Sequence, residues 1–269
     1  MAFKEKLLSV IESQNSLLCV GLDTDIERIP EHLKSESDPV LAFNREIIEA
    51  TAEYAAAFKI NTAFYEARGV QGWQTLQDTL DAIPPYCLTI ADAKRGDIGN
   101  TSRMYAKSLF EVLGADAITV NPYMGHDSVR PFLEDPDKGV FILCVTSNPG
   151  SQDFQRISDG QSPLYKKIAL TVQQWNDKSN CGLVVGATHP QELAEVRSWV
   201  PDMPFLIPGI GAQGGDIELA VRNGTDVQGT NALFNSSRAI LYASSGPEYK
   251  SAAASVASKT RNELNRYRK

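Results

Sequence analysis

The stretch Cys87-Leu88-Thr89-Ile90-Ala91-Asp92-Ala93-Lys94-Arg95-Gly96-Asp97-Ile98-Gly99-Asn100-Thr101 passes from an apolar run into a charged one. Its first five residues read as a buried strand, and a helical pattern follows over residues 102–113. Charged groups therefore stand where a strand ends and a helix begins. Side chains two apart on an extended segment share a face, so Asp92 and Lys94 point the same way and Asp97 lies one turn beyond. Taken alone, the pattern D-x-K-x-x-D also describes a salt bridge followed by an acidic helix start. The rest of the chain decides between the two.

The same alternation repeats outward from this stretch. Upstream, residues 16–22 form a first strand that ends at Asp23. Asp38-Pro39 marks a helix start, with Asp as N-cap and Pro at the first helical position. Residues 56–61 form a second strand carrying Lys59, and a helix over 71–83 is broken by Pro84-Pro85. Downstream, strands are expected at 116–120, 140–145, 183–186, 205–207 and 226–229, with helical patterns between them. Thr188 and Gln191 fit a capping box around Pro190. A final helix begins near Pro247. Residues 146–161 form a long polar connection of the kind that often serves as a lid. Short apolar strands alternating with helices imply a parallel sheet covered on its outside. Eight such units with no linker fit a single (β/α)8 TIM barrel spanning residues 1–269. An open doubly wound α/β sheet is the alternative.

Composition narrows the function classes. Of 269 residues, 42% are hydrophobic and 22% charged, and the net charge is -7; these values suit a soluble globular chain. The acidic balance argues against a general nucleic-acid surface, so an anionic substrate requires a local basic pocket. No apolar stretch reaches membrane-spanning length, and the charged N-terminus reads as an amphipathic helix, not a signal peptide. Cys19, Cys87, Cys144 and Cys181 lie far apart with no C-x-x-C among them. Buried free thiols in a reducing cytoplasm are the expectation. His32, His126 and His189 are scattered, so no metal site is read.

In a barrel the chemistry lies at the C-terminal ends of the strands. Strands placed by apolarity alone deliver Asp23, Lys59, Asp92, Lys94, Thr146 and Ser147 to that end. The seventh strand leads into Gly209-Ile210-Gly211-Ala212-Gln213-Gly214-Gly215, and the eighth toward Arg238. Glycine-rich loops after strands seven and eight commonly bind phosphate through exposed N–H groups, and Arg238 offers a bidentate fork. Lys59 and Lys94 are interleaved with Asp92 and Asp97, whose charges favour the ammonium form. That disfavours a Schiff-base lysine, which needs a neutral amine, and suits proton donation to a developing carbanion.

The run from Asp92 to Thr101 resembles the signature of the orotidine 5'-phosphate decarboxylase family. Ser147-Asn148-Pro149-Gly150 and the glycine-rich loop are similar to that family's substrate loops. The likeness extends from Asp23 to Arg238 and is closest to the longer bacterial-type branch. It implies cofactor-free decarboxylation of orotidine 5'-phosphate to UMP, with no metal. Lys94 then matches the acid that protonates C6, Asp92 faces the substrate carboxylate, and Lys59 completes the charged network. Asp23 holds a ribose hydroxyl, Ser147 contacts the pyrimidine, Gln213 bridges base and phosphate, and Arg238 clamps the phosphate. The resemblance also implies a homodimer in which Asp97 and Thr101 reach the neighbouring subunit's site. Two alternatives stand beside this reading. One is a Mg2+-dependent sugar-phosphate decarboxylase or hexulose-phosphate synthase on the same barrel; the other is a nucleotide-binding barrel without catalysis.

Overall fold

A computed structural model describes residues 1–158, 160, 162–210 and 216–268. Its strands are β1 (Leu18–Gly21), β2 (Ala57–Asn61), β3 (Leu88–Arg95), β4 (Ala117–Val120), β5 (Gly139–Val145), β6 (Cys181–Val185), β7 (Phe205–Pro208) and β8 (Ala232–Ser236). They pair in parallel in chain order, and β8 returns to β1 with Leu18 opposite Phe234 and Val20 opposite Ser236. The sheet is thus a closed barrel with helices in its connections, as the alternation of strand and helix patterns requires. The open sheet is not the arrangement found.

Local chemistry accounts for the helix starts. Before Pro39–Thr51 the Asp38 carboxylate accepts the Leu41 N–H at 3.3 Å, and the helix buries Val40, Phe43, Ile47 and Ile48. Before Ile217–Gly224 the Asp216 carboxylate accepts the Leu219 N–H at 3.0 Å. Each cap satisfies an N–H that a helix start otherwise leaves without a partner.

The two ends of the barrel differ because of what fills them. At the N-terminal end of the strands, Phe3 from the first helix, Phe3–Ser13, meets Phe141 edge to face with centroids 5.9 Å apart. A Cβ on Gly139, the first residue of β5, would lie 2.3 Å from the Phe3 ring. Glycine is what lets the ring seat there, and burying it contributes on the order of 1.5–3 kcal/mol. The other end opens into a cleft that carries the charged residues among its lining.

Three readings of the sequence need correction. Residues 226–229 are a turn, not the eighth strand. The Asp226 carboxylate accepts from the N–H of Gln228 and Thr230 at 3.0 and 2.7 Å, from the Thr230 hydroxyl at 2.9 Å and from the Asn231 amide at 2.6 Å. An Asp whose side chain gathers residues two, four and five further on closes a turn, and the strand starts only after it, at Ala232. The capping box is absent: His189 is the N-cap of Pro190–Trp199 and makes no side-chain cap bond. Thr188 instead lines the cleft described below. Finally, the helix expected over 102–113 begins earlier, as Gly99–Ala106, and widens into a π-helical turn, Lys107–Val112. The four cysteines are free and buried, as expected.

Candidate active site

A cleft of about 810 Å³ opens at the C-terminal ends of the strands, lined among others by Asp23, Lys59, Asp92, Lys94, Ser147 and Arg238. Asp23 lies just beyond β1, Lys59 on β2, and Asp92 and Lys94 both on β3. Ser147 follows β5, and Arg238 opens the short helix Arg238–Leu241 after β8. Residues from one end of the sequence to the other thus meet because every barrel strand ends at the same rim.

The charged groups form one chain of contacts. The Lys59 ammonium lies 3.0 Å from Asp92 Oδ2 and 3.3 Å from Asp23 Oδ1. The Lys94 ammonium lies 2.6 Å from Asp92 Oδ1. Lys59 is only 4% exposed, whereas the Lys94 side chain is 48% exposed and stands at the cleft. Two cations and two anions alternate, so the group as a whole is neutral. Burial alone would raise the Asp92 carboxyl, but Lys59 and then Lys94 outweigh it and hold Asp92 well below the usual carboxylate range. Burial likewise opposes the Lys59 charge, and Asp92 and Asp23 override it, raising its ammonium above the ordinary lysine value. Asp92 and Lys59 are therefore both ionised at neutral pH.

The backbone of β3 is irregular where it carries these groups. Ala91 pairs with Ile118 and Arg95 with Val120, so three residues, 92–94, face the single Thr119 of β4. Lys94 takes up the excess with φ +48°, a left-handed conformation that side-chain-bearing residues seldom adopt. Bulges of this kind re-aim side chains beside functional sites.

Ser147 owes its place to a neighbour. A Cβ on Gly186, just past β6, would fall 2.2 Å from Ser147 Oγ, so glycine there leaves room for the hydroxyl. Ser147 Oγ, Thr188 Oγ1 and Asn235 Oδ1 are buried at the cleft with no hydrogen-bond partner among the described residues.

Other predicted site residues lie elsewhere. Asp97 and Thr101 do not line this cleft; Asp97 Oδ1 accepts the N–H of Ile98 at 2.8 Å, and Thr101 is exposed. Gln213 and most of the glycine-rich loop fall outside the described residues. The connection after β5 is folded over much of its length. Gln155 accepts the Thr146 N–H at 2.7 Å, and Arg156 makes a two-pronged bond to Glu192 at 2.6 and 2.7 Å. Cleft residues that the sequence reading missed include Thr119, Asn235, Tyr242 and Arg28. The Arg28 guanidinium lies 3.8 Å over the Tyr242 ring. Thr119 was legible as a polar residue late in an apolar strand; Asn235 was hidden by the misplaced eighth strand. Among the described residues no group of three or more His, Cys, Asp or Glu is arranged to hold a metal ion, and no helix is long and apolar enough to cross a membrane.

The charge network makes a prediction with a definite sign. A carboxyl held low takes its proton last. The contribution of Asp92 to folding is therefore complete above its unfolded value of about 3.9 and is lost as pH falls through the depressed one. Lys59→Met removes the larger opposing charge, so the Asp92 carboxyl must titrate at higher pH. Carbon-13 NMR of the aspartate carboxyls in both proteins measures this, and an unmoved Asp92 titration contradicts the coupling.

Comparison with known proteins agrees with this geometry. The family model for the orotidine 5'-phosphate decarboxylase / HUMPS family matches residues 16–254. The orotidine 5'-phosphate decarboxylase of Dehalococcoides mccartyi strain 195 is 54% identical over 273 residues, covering 100% of this chain and 99% of its own. Among solved structures, Leishmania donovani OMP decarboxylase is 39% identical with a TM-score of 0.85, covering 98% of this chain and 99% of its own. Leishmania donovani UMP synthase is 41% identical with a TM-score of 0.88 over 100% of this chain, which spans 57% of that longer protein. By sequence along its whole length and by its closed parallel barrel, the chain belongs to the orotidine 5'-phosphate decarboxylase / HUMPS family.

Proposed function

We propose that this chain is a carboxy-lyase that converts orotidine 5'-phosphate and a proton to UMP and CO2, the closing step of pyrimidine nucleotide synthesis. The observation that carries the reading is the Lys59–Asp92–Lys94 network at the mouth of the barrel. The bond from C6 to the carboxylate carbon breaks and CO2 leaves. The electron pair remains on C6 and takes a proton from the Lys94 ammonium, which solvent then recharges. An ammonium fixed beside the carbon where negative charge develops stabilises that charge as it forms, and its proton ends the sequence without a cofactor.

Each remaining residue has a place in this reading. Asp92, ionised and held between two lysines, faces the substrate carboxylate, and the repulsion is relieved as CO2 departs. Lys59 keeps Asp92 charged and in place. Asp23 binds a ribose hydroxyl, and Ser147 Oγ, without a hydrogen-bond partner among the described residues, contacts the pyrimidine edge. Arg238, with Gln213 from the glycine-rich loop, binds the phosphate. Binding energy from that remote phosphate is then available to the chemical step, the more so if the connections after β5 and β7 close over substrate. The reading takes residues 1–269 as one catalytic domain working in the cytoplasm.

Asp97 and Thr101 call for a second copy of the chain. Around them lie exposed apolar side chains: Ile98, Met104, Met124 and Tyr123, the last 87% exposed. The two segments are joined by the Asn121 N–H, which bonds the Arg95 carbonyl at 2.8 Å. Such a patch fits a homodimer interface, across which Asp97 and Thr101 enter the partner's cleft.

Two experiments test this. EDTA-treated protein is mixed with orotidine 5'-phosphate and loss of the orotate absorbance is followed. Conversion to UMP is the expected result; folded protein that turns over nothing, or acts only on sugar phosphates with Mg2+, contradicts the reading. For the shared site, inactive Lys94→Ala and Asp97→Ala chains are mixed. Mixed dimers contain one cleft with both residues intact, so activity should partly return. No recovery despite verified subunit exchange would put Asp97 in the service of its own chain.

A further inference from the structure

Thr119, on β4, is a residue to which the reading above gives no task. It is 1% exposed, yet its hydroxyl sits within the charged network. Thr119 Oγ1 is 2.8 Å from Asp92 Oδ1 and 2.9 Å from the backbone nitrogen of Lys94. The directions of these two bonds are fixed by chemistry. The Lys94 N–H can only donate, so the hydroxyl oxygen accepts from it. The hydroxyl has one proton, and an ionised carboxylate can only accept, so that proton goes to Asp92. One hydroxyl thus holds the side chain of Asp92 and the main chain of Lys94 together.

The backbone explains why such a tie is needed. Residues 92–94 crowd against Thr119 alone, and the Lys94 φ of +48° is held against its steric preference. Strained conformations persist where the surroundings over-determine them. The regular pairing of β3 with β4 lapses between Ala91 and Arg95, and the Thr119 hydroxyl supplies the acceptor that the Lys94 N–H takes there. Without it the N–H is left unpaired beside a buried threonine methyl, the bulge is free to relax, and the Lys94 ammonium is aimed elsewhere. Asp92 Oδ1 would at the same time lose one of its two donors.

We infer that Thr119 is a positioning residue for decarboxylation, which sets the direction of the Lys94 ammonium through the backbone of the bulge and fixes the carboxylate that Lys94 shares. The inference rests on the assignment of Lys94 as the proton donor. It predicts a loss confined to the chemical step, because Thr119 acts through the reacting groups, while Arg238, proposed to bind the phosphate, follows β8 on the opposite side of the barrel from β4.

The test compares Thr119→Val, which keeps the shape and removes the hydroxyl, with Thr119→Ser, which keeps the hydroxyl. Steady-state kinetics with orotidine 5'-phosphate and the dissociation constant for UMP are measured for both, with Lys94→Ala in the same assay. Thr119→Val should lower kcat by about 10- to 100-fold, the cost of misplacing a reacting group by about an ångström. KM and UMP affinity should change less than about threefold, which a collapsed site would not allow, and Thr119→Ser should recover most of kcat. If Thr119→Val does not fold, Thr119→Ala is read in the same way. A Thr119→Val kcat near that of the parent while Lys94→Ala is inactive overturns the role of Thr119 and leaves that of Lys94 standing. Loss of UMP binding in step with kcat, or failure of Thr119→Ser to recover activity, also overturns it. An active Lys94→Ala would overturn the assignment on which the inference rests.

Discussion

A lysine ammonium buried to 4% exposure is the constraint around which this barrel is arranged. An isolated charge there would cost several kcal/mol or would discharge. Lys59 does neither, because Asp92 and Asp23 face it at 3.0 and 3.3 Å. Asp92 in turn is kept ionised by Lys59 and Lys94, so each charge is the condition for the next. Removing Lys59 leaves Asp23 without its cation and Asp92 with one of its two, which is the costly way to break a buried pair. The network is therefore a poor source of net stability and a good source of fixed charge. It gives the half-exposed Lys94 a defined partner and direction at the cleft.

The barrel supports this by separating its two ends. The end closed by Phe3 and Phe141 is packed so tightly that β5 begins with a glycine beneath a ring. The other end carries the charge network, the Ser147 hydroxyl and the basic side chains of Arg28 and Arg238. In the proposed reaction the substrate phosphate and the developing carbanion are both negative, on a chain whose net charge is -7. Local placement of cations, not the overall balance, suits the cleft to such a ligand.

Much of this was legible in the sequence because period and position carry physical information. Apolar runs placed most strands correctly, and the residues just beyond or late in those runs, Asp23, Lys59, Asp92, Lys94 and Ser147, do line one cleft. What was not legible depended on contacts between distant residues. The turn at 226–229 was read as a strand, since nothing in Asp-Val-Gln-Gly reveals that one carboxylate gathers Gln228, Thr230 and Asn231 around it. That error hid Asn235. The bulge in β3 and the left-handed Lys94 also left no local mark, because they arise from the register with β4. Thr119 stood out only as a polar residue late in an apolar strand, and its tie to Asp92 and Lys94 depends on that same register. The capping box around Pro190 failed for a related reason, as Thr188 was drawn to the cleft.

The account stands on the negative charge of Asp92, and Asp92→Asn tests it most directly because the amide keeps the shape and removes the charge. The measurement is kcat for orotidine 5'-phosphate, made on protein shown by circular dichroism to be folded. The account predicts that turnover falls by about a hundredfold or more, because the charge of Asp92 both opposes the substrate carboxylate and holds the Lys94 ammonium at the reacting carbon. A variant that turns over at close to the parent rate would contradict it.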